Sequence, residues 1–209
     1  MTGISKGTFY RYLKLITDNH IIQDVYNYAI ENYSLRDPLI TDTFTVKSMR
    51  GSEGLGRNPT DRGRQGLKVS LITDTNRVVR AVKISGANRH DSKLLVETIN
   101  QMTKPERMVT CLCDSGYVGK QLREQCQTVN FRLVVKPRKT VKRGRMSHIL
   151  SCEDAELLRK NRNQIELLNG QIRRFRGLMI KWVRSVSIYT CFLYVALLSI
   201  TCYQLYVIR

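Results

Sequence analysis

Hydrophobic positions recur at two different periods along this chain, and the change of period divides it. From residue 4 to about 33 the period is helical: in ISKGTFYRYLKLI, Phe9, Tyr10, Leu13 and Ile16 follow Ser5, a residue suited to an N-cap, and a second helix follows Asn19. Outward Lys6, Arg11 and Lys14 suit the recognition helix of a helix-turn-helix, which sets its N-terminus against the major groove. An amphipathic helix capping a domain fits the same pattern. From Leu39 the period shortens. ITDTFTVKS, LKVSLITD, RVVRAVKISG, MVTCLCDSGY and FRLVVKP are short, rich in Val, Ile and Thr and bounded by turn residues, which predicts five strands.

The connections between these strands differ in kind. GSEGLGRNPTDRGRQG, after the first strand, carries no apolar period and reads as a loop, whereas TDTNR joins the second and third strands as a tight hairpin. HDSKLLVETINQM predicts a helix with Asp91 as its N-cap, and GKQLREQC a second one between the last two strands. Three strands, then helix, strand, helix, strand, describe a mixed sheet with crossover helices. KPRKTVKRGRMSH reads as a solvated basic loop; beyond it, CEDAELLRKNRNQIELLNGQIRRFRGLMI predicts one long helix with Leu157, Leu158, Ile165, Leu168 and Ile172 apolar among charges. The expected division is a helical segment over 1–36 and one further domain over 37–209.

Composition adds a partner. Lys and Arg number 35 against 17 Asp and Glu, a formal charge of +18, so a polyanion, by default nucleic acid, is expected. A ribosomal or chromatin-like protein that only neutralises phosphate would show the same charge. The six cysteines form no C-x-x-C pair and have no His cluster beside them, which argues against a zinc site or a disulfide framework. The N-terminus lacks the apolar stretch and cleavage site of a secretory signal, so an intracellular protein, present where DNA is, is expected. No charged residue lies between Val186 and Ile208. About 23 helical residues at about 1.5 Å each reach roughly 34 Å, enough for a bilayer. Ser187, Thr190, Ser199, Thr201 and Gln204 interrupt that run, and a buried terminal helix of an α/β domain reads the same way.

Three acids occupy places that are poor for an acid: Asp42 within the first strand, Asp114 directly after the apolar run MVTCLC, and Glu166 within the long helix. Carboxylates packed together repel, and one is driven neutral, unless a multivalent cation holds them. Mg²⁺ prefers oxygen ligands, and paired ions about 4 Å apart can activate an attacking oxygen and stabilise the leaving oxygen of a phosphodiester. Taken singly, each acid also reads as an ordinary turn, cap or surface residue.

Several strings, in order, resemble the insertion-sequence DDE transposases. ITDTFTVKS resembles that family's first-aspartate strand, LGRNPTDRGRQGLKVSLITD its loop and second strand, and GANRHDS the opening of its first crossover helix. CDSGYVG resembles the second-aspartate motif, with Ser115 where Lys is usual, and NRNQIELLNGQIRRFRGL the glutamate helix. The resemblance runs from about residue 38 to the C-terminus. It implies an RNase H-like α/β fold, with a mixed five-stranded sheet flanked by helices, for the catalytic domain over 37–209, preceded by a truncated helix-turn-helix.

The resemblance further implies metal-dependent DNA strand cleavage and strand transfer, with Asp42, Asp114 and Glu166 holding Mg²⁺ or Mn²⁺, as two ions, and a homo-oligomer acting on double-stranded transposon ends and target. In the family a Tyr and an Arg precede this Glu and a Lys follows it; here those positions hold Arg159, Arg162 and Arg173. At about 100° per residue all three lie within roughly 40° of Glu166, a cationic stripe suited to gripping phosphate together with Arg174. Arg57, Arg62 and Arg64 in the long loop are further phosphate contacts, and His90 is an accessory candidate beside Asp91. The uncharged tail reads, by the same resemblance, as a last helix packed on the sheet, and a membrane is not expected. Two rival readings are a catalytically silent DNA-binding protein derived from a transposase and a tail-anchored basic membrane protein.

Overall fold

A computed structural model describes residues 3–48, 53–137 and 150–207. The basic stretch read as a loop, KPRKTVKRGRMSH, lies from residue 138 onward outside the described residues. In chain order the elements begin with α1 (Lys6–Asp18), α2 (Ile21–Glu31), β1 (Leu39–Ser48), β2 (Gly56–Arg57), β3 (Gln65–Thr73) and β4 (Val79–Gly86). There follow α3 (Asp91–Ile99), β5 (Val109–Cys113), α4 (Lys120–Gln127) and β6 (Phe131–Val135). The last part holds α5 (Cys152–Asn161), α6 (Asn163–Arg174), α7 (Arg176–Met179), β7 (Ile180–Lys181) and α8 (Val186–Cys202), whose end widens into a π turn over Tyr203–Val207.

All five expected strands are present, and they lie side by side in the order β4-β3-β1-β5-β6. The hairpin makes β3 antiparallel to β1 and β4, while the helical crossovers make β5 parallel to β1 and to β6. Among the described residues two short strands extend this sheet to seven: β2 pairs β3 beyond the end of β4, and β7 pairs the far end of β1. Neither was legible, because two residues carry no period. The segment read as a featureless loop therefore contains β2, and Gly66 opposite it is held close to β1, where a Cβ would stand 2.5 Å from the Val46 carbonyl oxygen.

Alternation along each strand sorts the side chains onto two faces. Leu39, Ile72, Cys111, Cys113, Leu133 and Val135 point to one face and pack with Leu95 and Ile99 of α3 and Leu122 and Cys126 of α4. Ile40, Leu112 and Val134 point to the other and pack with Leu158 of α5 and Ile165 of α6. Farther along that second face Val46, Leu67, Val69 and Leu71 meet Leu168 and Ile172 of α6 and the buried side of α8, Tyr189, Leu193, Leu197 and Ile200. The helix over Val186–Leu205 is long and apolar enough to cross a membrane, yet it lies against the sheet as the tail reading expected.

The N-terminal helices share this core. Tyr26 of α2 is 2% exposed, packs edge-on against Tyr194 of α8 and donates its hydroxyl to the Val79 carbonyl at 2.8 Å. At the β3–β4 turn, buried Asp74 accepts from the amides of Asn76 and Val78 and pairs with Arg80 at 3.0 Å. Two boundaries differ from expectation. The N-cap of α3 is His90, not Asp91, because the His90 ring nitrogen takes the Ser92 amide. The long helix is interrupted at Arg162 and stops at Arg174, after which the chain turns into α7 and β7. None of the six cysteines is in a disulfide.

Candidate active site

Two of the three acids are brought together by strand register. β1 and β5 run parallel with Leu39 beside Cys111 and Ile40 beside Leu112. Carried two residues further, the same register sets Asp42 beside Asp114, and alternation points both to the face on which Ile40 and Leu112 pack under α5 and α6. β5 ends at Cys113, so Asp114 stands where the sheet stops on that side, while Asp42 continues within β1 opposite Leu71. The third acid, Glu166, comes from α6 above. A cleft is lined by Ile40, Asp42, Leu112, Asp114, Leu158, Arg162, Ile165 and Glu166.

The two aspartates meet opposite electrostatics. Asp42 lies among Ile40, Phe44 and the packed helices, and burial pushes its carboxyl above the usual carboxylate range, with the Asp114 and Asp91 charges acting the same way. Its Oδ1 accepts the Thr43 amide at 2.8 Å and its Oδ2 accepts the Asn169 side-chain amide at 2.9 Å, so its orientation is fixed. Asp114 is held below the usual range, first by Arg162, whose Nη1 donates to its Oδ1 at 3.0 Å, and then by the Ser115 amide at 2.6 Å. The same guanidinium reaches Glu166, with Nε 3.6 Å from Oε1. Arg162 thus bridges the second and third acids, and its own proton is held more tightly as a result.

The donors are all oxygen, the set a hard divalent ion prefers, and the Asn169 Oδ1 beside Asp42 is buried with no hydrogen-bond partner. Asp42 and Asp114 fit such an ion as a pair. The third acid is drawn aside: among the described residues no three acidic, His or Cys side chains stand close enough to hold a metal, and the Glu166 side chain, 64% exposed, turns to Arg162 instead. Asn169 is the residue that sequence reasoning missed. Its signal was available, since it stands at a core position of α6 between Leu168 and Ile172, where an apolar residue is the rule.

The other candidates are placed differently. Arg159 on α5 and Arg173 and Arg174 in the last turn of α6 are exposed and make no ion pair among the described residues. Arg57, Arg62 and Arg64 are exposed near the other end of the sheet, where Gly66 pairs with Lys47. Lys47 is five residues along β1 from Asp42, roughly 17 Å at about 3.3 Å per residue, so these arginines and the acids form no common cluster. His90 is exposed and occupied as a helix cap, with its Nδ1 2.7 Å from the Ser92 hydroxyl.

Comparison with known proteins agrees with this architecture. The family profile described as Transposase DDE domain matches residues 34–201. A protein assigned as the transposase of insertion sequence element IS402 from Burkholderia cepacia is 28% identical over 168 residues, covering 75% of this chain and 74% of that protein. Among solved structures, the piggyBac transposase in a cryo-EM synaptic complex with hairpin DNA superposes with a TM-score of 0.61 at 12% identity, over 95% of this chain. The chain spans about half, 53%, of that larger protein, and the likeness identifies the shared RNase H-like fold.

Proposed function

The chain belongs to the Transposase DDE domain family, and from that premise we propose that it is a transposase that cleaves and joins DNA strands at a site built on Asp42, Asp114 and Glu166. The observation that carries this reading is the register that sets Asp42 beside Asp114 beneath Glu166 in one cleft. Asp42 and Asp114 would hold divalent metal, Mg²⁺ or Mn²⁺, with Glu166 completing the set for a second ion. When bound, such ions activate an attacking oxygen and stabilise the leaving oxygen of a phosphodiester.

The protein's own groups do the rest. Thr43 and Asn169 hold Asp42 in one orientation, so its carboxylate meets a cation without reorganising. The Leu158 and Ile165 side chains wall the cleft on the side of the buried Asp42. Arg159, Arg173 and Arg174 grip the phosphates flanking the scissile bond, and Arg57, Arg62 and Arg64 extend the cationic track along the duplex. The net charge of +18 supports a double-stranded DNA partner, and two DNA ends in one reaction call for an oligomer on DNA. The site of action is wherever in the cell that DNA lies.

A second reading has an observation of its own: Glu166 is paired to Arg162 and the three acids are not gathered, which suits a catalytically silent DNA-binding relative. Nicking of a supercoiled plasmid by the purified chain with Mg²⁺ or Mn²⁺ separates the two. Metal-dependent nicking that EDTA and Asp114→Asn each abolish is the expected result; binding without nicking sinks the catalytic reading.

A further inference from the structure

We infer that Arg162 is a built-in cation that occupies the acidic cleft until divalent metal displaces it, and that its release makes it available to a DNA phosphate. This rests on the reading of Asp42, Asp114 and Glu166 as the metal site. The geometry is specific to one side chain. The Arg162 guanidinium lies in the cleft, donates Nη1 to Asp114 at 3.0 Å and places Nε 3.6 Å from Glu166, so it contacts the two acids that the metal would also use. Three carboxylates in one cleft repel each other, and a fixed guanidinium between two of them relieves part of that repulsion. A divalent ion supplies twice the charge at shorter range. Carboxylate oxygens directed at Arg162 are not free to ligate, and their capture by metal leaves the guanidinium without partners.

The backbone allows the exchange. Arg162 occupies the one-residue break between α5 and α6, and its side chain is 28% exposed, so a change of rotamer carries the guanidinium from the cleft toward solvent without disturbing the core that Leu158 and Ile165 build beneath it. A planar guanidinium with two acids removed is matched in shape and charge by a phosphate. Metal loading and backbone gripping are thereby coupled through one residue, so the cleft would be screened when DNA and metal are absent and cationic when both arrive. Arg159 and Arg173, which make no ion pair among the described residues, carry the same charge on the same helical pair without this bridge.

The test is calorimetric titration of the full chain with Mn²⁺ alone, for the natural protein, Arg162→Gln, Arg173→Gln and Asp114→Asn, with folding of each checked by circular dichroism. Arg162→Gln is expected to bind Mn²⁺ roughly three- to fivefold tighter, the scale of a half-exposed ion pair, while Arg173→Gln stays within about twofold. A second arm measures binding of a short DNA duplex in Ca²⁺ against EDTA, and Arg162→Gln is expected to lose most of the metal-dependent gain. Equal or weaker Mn²⁺ binding by Arg162→Gln overturns the inference, and so does equal tightening by Arg173→Gln, which would be a general charge effect. If Asp114→Asn abolishes Mn²⁺ binding while Arg162→Gln leaves it unchanged, the displaced-cation inference alone falls. If Asp114→Asn binds Mn²⁺ as the natural protein does, the metal site itself is overturned.

Discussion

Replacing Asn169 should expose how the helix bearing Glu166 is keyed to the strand bearing Asp42. Asn169 is 7% exposed and its side-chain amide donates to Asp42 Oδ2 at 2.9 Å. A hydrogen bond to a charged group contributes about 1.5–3 kcal/mol. Part of that is offset on truncation to alanine, because the buried and unpartnered Asn169 Oδ1 is removed as well and Asp42 keeps the Thr43 amide. A loss of about 1–2 kcal/mol remains, which for a chain of this size lowers the melting temperature by about 2–8 °C. Asn169→Asp should cost more at neutral pH, since it replaces the donor by a second carboxylate against a desolvated one. That excess should shrink as the pH falls toward the carboxylate range, where one of the pair protonates. Thermal unfolding followed by circular dichroism at several pH values measures both, with exposed Asn163→Ala as the control. If both Asn169 variants melt with the natural protein, to within the about 0.5 kcal/mol of an ordinary surface change, Asn169 does not key α6 to β1.

The paired aspartates should respond to neutralisation with opposite signs. Asp42 has its carboxyl raised above the ordinary 3.8, so its contribution is most favourable below that value and is lost as pH rises through the folded value. Asp42→Asn should therefore leave stability unchanged or raised at neutral pH while abolishing nicking. Asp114 is lowered from 3.8, so it contributes above that pH and the contribution is lost as pH falls through its folded value. Asp114→Asn should cost up to about 1 kcal/mol at neutral pH, because its pair with Arg162 is partly exposed, and nothing at strongly acid pH. Destabilisation by Asp42→Asn equal to that by Asp114→Asn in a pH series of melts would contradict this. Away from the site, Tyr26→Phe leaves the Val79 carbonyl without its hydroxyl donor and should cost about 1–2 kcal/mol in chemical denaturation, with nicking at permissive temperature unchanged.

What the sequence made legible follows from which interactions are local. The five long strands could be read because β-branched residues and turn residues alternate within a few positions, as in ITDTFTVKS and LKVSLITD. Asp42 and Asp114 could be singled out because each interrupts or ends an apolar run. Their adjacency could not be derived from spacing, since it depends on the parallel register of β1 with β5, set by crossover packing across the whole sheet. Asn169 stands at a core position of α6, which marks it as unusual, but its partner, the Asp42 carboxylate, is set only by the packing of α6 on β1 and could not be read from the helix alone. His90 took the capping role from Asp91 because a ring nitrogen can accept the Ser92 amide as a carboxylate would. Helical geometry put Arg162 on the face of Glu166, four residues away, but its bond to Asp114 depends on how α6 packs over the end of β5 and is not a local property of the helix.

The cleft and the core depend on the same registers. On the face beneath α6, β1 presents Ile40, Asp42, Phe44 and Val46 in turn, so the acid stands where the alternation otherwise demands an apolar side chain. A slip of one residue in β1 would carry Ile40 and Val46 out of their clusters together with Asp42, and the lost burial of those two side chains alone amounts to about 3–6 kcal/mol. The apolar neighbours therefore hold an unfavourably placed carboxylate against its own tendency to escape to water. It follows that substitutions such as Val46→Ala, far from the acids in contact terms, act on the site through strand position, and their effect on Mn²⁺ affinity should track their effect on stability. Asp114, by contrast, is secured by Arg162 and the Ser115 amide at the open end of β5, so core substitutions under β4 should leave it in place.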